Sequence, residues 1–417
     1  MRYTLLVSSA LLAVSLAAAV QSSQRKSYDG YRVFRLTVGE DVAKVNNIID
    51  TLGLTTWKGR PRAGAAADIV VPPSKIDAFE AEITGMEAVT MHEDLGASIA
   101  EESSFSVYAA GSANITWFNS YHSYRDHLQF LNDLHAQYPT QSEVVSAGNS
   151  LQGNAITGIH FWGSSGKGKP AVVFHGTVHA REWISTMVNE YIAYTLLTST
   201  EGQAFLDKYD FFIFPVVNPD GFIYTQTTDR MWRKNRQTTS GSTCLGHDIN
   251  RNWPYQWSVS GGASTNPCAE DFKGTAAGDA PETGVLSSWL RTTKANQGVK
   301  LFIDWHSYSQ LFMTPYGYSC TAVAAKNSEL QSLAKGAVAA IKAVHGTTFT
   351  SGPICSTIYK ATGNSVDYVN DVVGGDYTFT VELRDRGNYG FVLPANQILP
   401  SGEEAYAGVR YLLQNMK

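Results

Sequence analysis

Residues 175–183 read HGTVHAREW, at the point where an apolar run, AVVF, gives way to a helical spacing, IxxMVxxYIxxxL. His179 and Glu182 are three apart, so both side chains can reach one ion from the turn between the two periods. Two other apolar runs end in similar chemistry: KLFIDW runs into His306 and YTFTV into Glu382. Two histidines and one glutamate, with a fourth position left open, form the donor set of a catalytic zinc and not of a structural one. Packing gives a β-branched strand end no use for a glutamate, and Glu382 reads as a general base acting on water at such a metal. More polar groups need an explanation of the same kind: Arg233 in DRMWRKNR, Asn250 and Arg251 in GHDINRNW, and Tyr359 in STIYKATGNSVD. The planar fork of arginine suits a carboxylate or an oxyanion.

These groups are far apart in sequence, so a scaffold must gather them. The strand-like runs AVVFHG, DFFIFPVV, VKLFIDWH and YTFTVEL alternate with helical stretches over 183–198, 201–208, 281–295, 327–345 and 402–416, and an amphipathic helix over 123–138 precedes them. The alternation predicts one α/β domain, a mixed, largely parallel sheet with helices on both faces. Such sheets present functional groups at the carboxyl ends of their strands. Upstream, residues 31–39, 53–59, 66–72 and EAVTMHED read as strands. Val42, Val45, Ile48, Ile49 and Leu52 lie on one helical period, and Ile76, Phe79, Ile83 and Met86 on another. The order βαββαβ is that of a small open sandwich. The segment ASIAEESSFSVYAAGSANITW then reads as a polar linker. Residues 163–170, GSSGKGKP, nearly match a phosphate-binding loop, but Pro170 replaces the Ser/Thr and the segment precedes a strand, which makes it a surface turn.

Composition narrows the classes. The chain has 417 residues, is 43% hydrophobic and 17% charged, and carries a formal net charge of −5. That excludes wholesale disorder and argues against a dedicated nucleic-acid binder. No apolar run after the N-terminus approaches the roughly 20 residues that span a bilayer. The opening MRYTLLVSSALLAVSLAAAVQSS, with Ala17 and Ala19 in A-x-A spacing, is a secretory signal peptide over 1–19. Secretion, to an extracellular location, permits disulfides among Cys244, Cys268, Cys320 and Cys355. Three pairings exist; Cys244–Cys268 with Cys320–Cys355 is favoured because each closes a short, loop-rich segment. Asn114-Ile115-Thr116 is a glycosylation sequon suited to an exposed linker. The expected division is signal peptide 1–19, pro-segment 20–112 and catalytic domain 113–417.

The sequence resembles the A/B-type zinc metallocarboxypeptidases, the digestive pro-carboxypeptidase group, over nearly the whole chain after the signal peptide. The stretches that carry the resemblance are HAREW, RMWRK, DINRNW, HSYSQLFMTPYGY, TIYKATGNSVD and ELRDRGNYGFVLP, all in the family's order. The resemblance implies one Zn2+ per chain on His179, Glu182 and His306. It implies Glu382 as the base that takes a proton from water and passes it to the leaving amine, and Arg233 as the group that polarises the scissile carbonyl. Asn250, Arg251 and Tyr359 match the clamp on a substrate's C-terminal carboxylate, Arg181 and Tyr308 match contacts further along the substrate, and Asp248 matches a carboxylate that orients a ligand histidine. His175 falls outside the ligand set. The N-terminal unit matches a pro-domain that caps the cleft.

In this family the residue at the Val366 position faces the substrate's last side chain, and an acidic residue there favours Lys or Arg. Valine, with Ile354, Ile358, Ala361, Gly317 and Thr380 as its matching neighbours, predicts aromatic or large aliphatic residues instead. Asp367, next to it, should point elsewhere. The digestive members are activated after a basic residue, yet residues 93–124 contain no Lys or Arg. The activating protease is therefore expected to cut after an apolar, acidic or small residue. Partners are peptide and protein C-termini and that protease, with no nucleic acid or membrane, and a monomer is the simplest expectation. A deacylase of the same fold is disfavoured by Asn250, Arg251 and Tyr359, an inactive binding module by the intact donor set and base, and a serine hydrolase by the lack of a G-x-S-x-G elbow.

Overall fold

The computed structural model describes residues 25–417, and the signal peptide assigned to 1–19 lies outside the described residues. The N-terminal unit runs β1 (Arg32–Thr37), α1 (Val42–Leu52), β2 (Thr55–Thr56), β3 (Ala66–Val71), α2 (Ile76–Glu82), β4 (Ala88–His92) and α3 (Leu95–Glu102). Its four strands form an antiparallel sheet in the order β2-β3-β1-β4. Helix α1 starts at Asp41, whose side chain accepts the Lys44 N–H, and stops at Gly53, which takes the left-handed conformation that a residue with a Cβ resists. The βαββαβ order expected from the apolar periods is present.

Helix α3 corrects the sequence reading, which placed ASIAEESS in a linker. Asp94 accepts the Ala97 N–H at 3.1 Å and caps it, and Leu95, Ile99 and Glu102 share a buried face. The polar composition hid an amphipathic helix whose third buried position is a glutamate. The extended connection is the shorter piece after Ser103, and within it Val107 is 98% exposed.

The larger unit contains α4 (Tyr124–Gln137), β5 (Ser142–Asn149), β6 (Ala155–Phe161), β7 (Ala171–Gly176), α5 (Trp183–Thr198), α6 (Thr200–Leu206), β8 (Asp210–Phe214), α7 (Pro219–Thr227), α8 (Pro281–Gln297) and β9 (Val299–His306). It continues with β10 (Leu311–Thr314), α9 (Asn327–His345), β11 (Thr350–Pro353), α10 (Ile354–Thr357), α11 (Ser365–Tyr368), β12 (Tyr377–Glu382) and α12 (Ile398–Asn415). Eight strands form one sheet in the order β11-β10-β12-β9-β7-β8-β6-β5. The centre, β12-β9-β7-β8, is parallel, while the β6–β5 hairpin and the β10–β12 pair are antiparallel.

Both faces of this sheet are covered, which is why its central strands read as unbroken apolar runs. Along β7, Val172 and Phe174 pack under α5, α9 and α12, with Met187, Leu330 and Val409. Ala171 and Val173 face the other side, with Leu286 and Leu290 of α8. Residues 163–170 form the turn between β6 and β7, largely exposed. The carboxyl ends of β7, β9 and β12 lie side by side: Gly176 pairs with Trp305, and His306 with Glu382.

Candidate active site and metal centre

His179 lies in the turn after β7, Glu182 is the N-cap residue of α5, and His306 ends β9. His179 Nδ1 is 2.9 Å from Glu182 Oε1, His306 Nδ1 is 3.1 Å from Glu182 Oε2, and the two Nδ1 atoms are 3.1 Å apart. The far nitrogens have carboxylate partners: His179 Nε2 lies 3.1 Å from Asp248 and His306 Nε2 lies 3.2 Å from Asp304. With the Nε2 protons given to these acids, both Nδ1 lone pairs and a carboxylate aim at one point, all three buried. Three acceptors aimed at one point suit a cation, and a nitrogen, nitrogen, oxygen set with an open side fits zinc. Among the described residues this is the one group of at least three His, Cys, Asp or Glu so disposed.

Asp248 joins this centre to Arg233. One oxygen serves His179 and the Asn250 N–H, and the other accepts Arg233 Nη2 at 2.8 Å and Nε at 3.2 Å. Burial opposes a charge on Asp248, but the Arg233 and His179 charges outweigh it and hold the carboxyl well below the usual range. Arg233 Nη1 is 3.8 Å from Glu182 and so stands over the metal point. Burial, and then the Glu182 charge, push Glu382 up to about 8. A dication held next to it acts in the opposite sense.

Asn250, Arg251 and Tyr359 meet at one end of a half-open cavity. Arg251 is 4% exposed, yet among the described residues it forms no ion pair. Its Nη1 donates to the Asn250 carbonyl at 2.8 Å, its Nη2 lies 3.5 Å from the Tyr359 hydroxyl, and its Nε has no partner. Val366, Ile354, Ile358, Ala361 and Thr380 line the same cavity, as the sequence reading expected, while Gly317, expected with them, is not among the lining residues and sits behind Ala361 and Asn364. Met313 and Asn364 line it too and were missed. Met313 faces the cavity from β10, a four-residue strand without a periodic signal. His175 stands apart from the donor set, buried between Phe214 and Phe302, and burial pushes it down to about 4.

Three comparisons with known proteins bear on this geometry. Residues 127–408 match the family described as zinc carboxypeptidase, and residues 31–102 match the carboxypeptidase activation peptide. The chain belongs to the zinc carboxypeptidase family. It is 51% identical over 424 residues to a metallocarboxypeptidase A-like protein of Trichophyton verrucosum (strain HKI 0517), covering 99% of this chain and 100% of that one. To carboxypeptidase A1 of Homo sapiens it is 36% identical, covering 94% and 95% of the two chains. The crystal structure of thrombin activatable fibrinolysis inhibitor superposes with a TM-score of 0.86 at 29% identity, over 93% of this chain and 99% of that one.

The activation peptide of this zinc carboxypeptidase reaches the residues expected to hold substrate. Arg181 Nη2 donates to the Trp57 carbonyl at 3.0 Å, and Arg181 Nη1 also pairs with Glu270 at 2.9 Å. The Tyr308 hydroxyl donates to Asp68, which Arg35 grips at 2.6 and 2.7 Å. Lys58 lies 4.3 Å over the Tyr308 ring, and Arg62 4.6 Å over the Tyr359 ring. Glu102 at the end of α3 makes a fully buried bidentate pair with Arg230, at 2.6 and 2.7 Å. These cross-contacts are not legible in the sequence, since each partner is an ordinary polar residue in its own segment. Both disulfides form in the expected pairing, Cys244–Cys268 and Cys320–Cys355. Asn114 is exposed, and no helix among the described residues is long and apolar enough to cross a membrane.

Proposed function

We propose that this carboxypeptidase is a secreted zymogen that, once its pro-segment is removed, releases aromatic or large aliphatic residues from peptide C-termini. One observation carries the reading: a buried Arg251 that forms no ion pair among the described residues, at the end of a cavity that joins an apolar wall to the metal-facing His179 and His306. A buried guanidinium without an acid is costly, and a peptide's terminal carboxylate supplies the missing charge. A chain continuing past that point would leave the cost in place, which selects against internal peptide bonds. Beyond the clamp, the walls made by Val366, Ile354, Ile358, Ala361 and Met313 offer a charged side chain no partner, so an apolar one is favoured.

In the mechanism, Asn250, Arg251 and Tyr359 hold the terminal carboxylate and fix the scissile bond. Arg181 and Tyr308 contact the chain upstream of it. His179, Glu182 and His306 would hold the zinc, which when bound would supply Lewis-acid polarisation of water and of the scissile carbonyl. Glu382 takes the proton of the attacking water and delivers it to the departing amine. Arg233, steadied by Asp248, donates to the carbonyl oxygen as negative charge grows there. The exposed Asn114 sequon supports glycosylation, and the proposed division is signal peptide 1–19, pro-segment 20–112 and catalytic domain 113–417, with the activation-peptide match over 31–102 inside the second part.

The test removes the pro-segment and follows release of the last residue from blocked dipeptides ending in Phe or Lys, with and without a zinc chelator. Phe release that the chelator stops is expected. Activity on neither substrate sinks the reading, and a preference for Lys sinks the specificity assignment.

A further inference from the structure

Asp367 follows Val366 in α11, and its carboxylate turns away from the cavity. It is fully buried and, among the described residues, has no cationic partner. It accepts the backbone N–H of Gly317 at 3.0 Å, that of Tyr318 at 3.0 Å, and the side-chain amide of Asn364 at 2.7 Å. Asn364 closes the circuit: its Oδ1 accepts the Asp367 N–H at 2.8 Å, and its Nδ2 also donates to the Ala361 carbonyl at 2.9 Å. The Ala361 N–H in turn donates to the Gly317 carbonyl at 2.8 Å.

This ring sits behind the cavity wall. A Cβ on Gly317 would come within 2.7 Å of the Ala361 oxygen and of Asn364 Nδ2, and 3.2 Å from Ile354, so wall and loop are in tight contact. Ala361, Asn364, Ile354 and Val366 all line the cavity. One residue earlier, Ser365 donates its N–H to Asn250 Oδ1 at 2.9 Å and its hydroxyl to Asp304, the carboxylate behind His306. The four residues 364–367 therefore tie the side-chain pocket to the carboxylate clamp.

We propose that Asp367 is a positioning residue for substrate specificity: its ionised carboxylate holds the Gly317–Tyr318 loop against α11, behind the wall formed by Ile354, Ala361, Asn364 and Val366, so that the pocket fits a large apolar C-terminal side chain. The inference rests on reading this cavity as the site of the substrate's last side chain. A carboxylate suits the task because it only accepts, through two oxygens that can serve several N–H donors at once. An asparagine or a protonated acid would turn a donor toward other donors. Burial pushes the group up to about 6, against the pull of the Gly317 and Tyr318 N–H groups and Asn364, and the Asp371 charge adds to the upward push. The facing loop brings only Tyr316 and Tyr318, whose phenols burial keeps neutral, and α10 brings no charge. Above about pH 6 the wall is held. As the pH falls through that value, one acceptor oxygen is lost and the wall loosens.

The experiment uses the activated, zinc-loaded enzyme and two blocked dipeptides that differ only in ending in Phe or Ala. The ratio of their kcat/KM values is followed from pH 5 to pH 8, because ionisations of Glu382 and the zinc centre affect both substrates and cancel. The ratio is expected to fall about tenfold towards pH 5, within the range that contacts in an apolar pocket decide. Asp367→Asn is expected to show the low ratio at every pH, with KM for the Phe substrate raised more than kcat is lowered. A ratio that does not change with pH, or that the variant leaves at the wild-type value, overturns the proposal, and if the variant fails to fold, the wild-type ratio alone decides it. Failure to prefer Phe over Ala at any pH would sink the pocket assignment and this inference with it. A pH-independent preference for Phe would sink this inference and leave the assignment standing.

Discussion

Glu382 and the three metal-facing side chains share one point but answer to different chemistry, and a substitution can separate them. Glu382 is not part of the donor set formed by His179, Glu182 and His306. Replacing it by glutamine keeps the size and removes only the capacity to take a proton. Glu382→Gln is expected to lower kcat by about 10²–10⁴-fold, the usual worth of a positioned acid–base group. Zinc content should stay at one per chain by elemental analysis. Turnover near the wild-type level would refute the assignment of the base, and loss of zinc would mean that the glutamate helps to hold the metal. At this scale the sequence was most legible. His306 and Glu382 each end a run of β-branched and aromatic residues, where a charge has no packing use. The partners of those residues were less legible. Asp304 sits inside the apolar run KLFIDWH and looks like an interruption until the fold sets it against His306 Nε2.

At the scale of elements, the strands that carry the site were readable because they are buried on both faces and so apolar throughout. The sheet edges were not. The β5–β6 hairpin, SEVVSAGN and AITGIHF, alternates too weakly and carries glycines, and β10 and β11 have only four residues each. Helix α7 begins NPDG, a turn signal, yet Asn218 caps it and Pro219 takes the first-turn position where proline is tolerated. Helix α3 was hidden by its acidic end, and that end has a purpose: Glu102 spends its charge on Arg230, which also lies 3.9 Å over the Trp183 ring and donates to the Arg181 and Phe391 carbonyls. Removing one member of a buried pair leaves the other uncompensated, at a cost of about 3–5 kcal/mol. In Glu102→Gln the amide keeps part of the hydrogen bonding, so the lower end applies. After the linker is cut, the pro-segment should leave the nicked variant about 100-fold faster than the wild type, by size-exclusion of samples taken over time. Equal release rates would mean that α3 is not the latch.

Across the whole molecule, the two units do not merely touch; they share a core. Tyr28, Val33, Trp57, Val70, Leu95 and Ile99 of the N-terminal unit pack with Met231, Tyr308, Phe391 and Val392 of the larger one in a single buried cluster. Trp57 alone meets Tyr308 and Phe391 edge-on or tilted, at 6.3 and 5.4 Å. Buried apolar area does not depend on the covalent linker, and neither does the Glu102–Arg230 pair. Cutting the linker therefore removes only the tether, and the peptide should stay seated afterwards. While it stays, Arg181 and Tyr308 are occupied by Trp57 and Asp68, and the upstream part of a long substrate has no place to lie. The side-chain pocket is lined by the larger unit, while Arg62 of the pro-segment also lies over the ring of the clamp residue Tyr359, so the block falls on the upstream chain and on the mouth of the clamp. The expectation is a lag. With a hexapeptide ending in Phe, activity should trail linker cleavage on a gel and catch up as the pro-segment is diluted away or digested. Added salt should shorten the lag only slightly, because screening reaches exposed charges far more than buried ones. Activity that rises in step with the cut, at any dilution, would show that the tether and not the shared core keeps the zymogen closed.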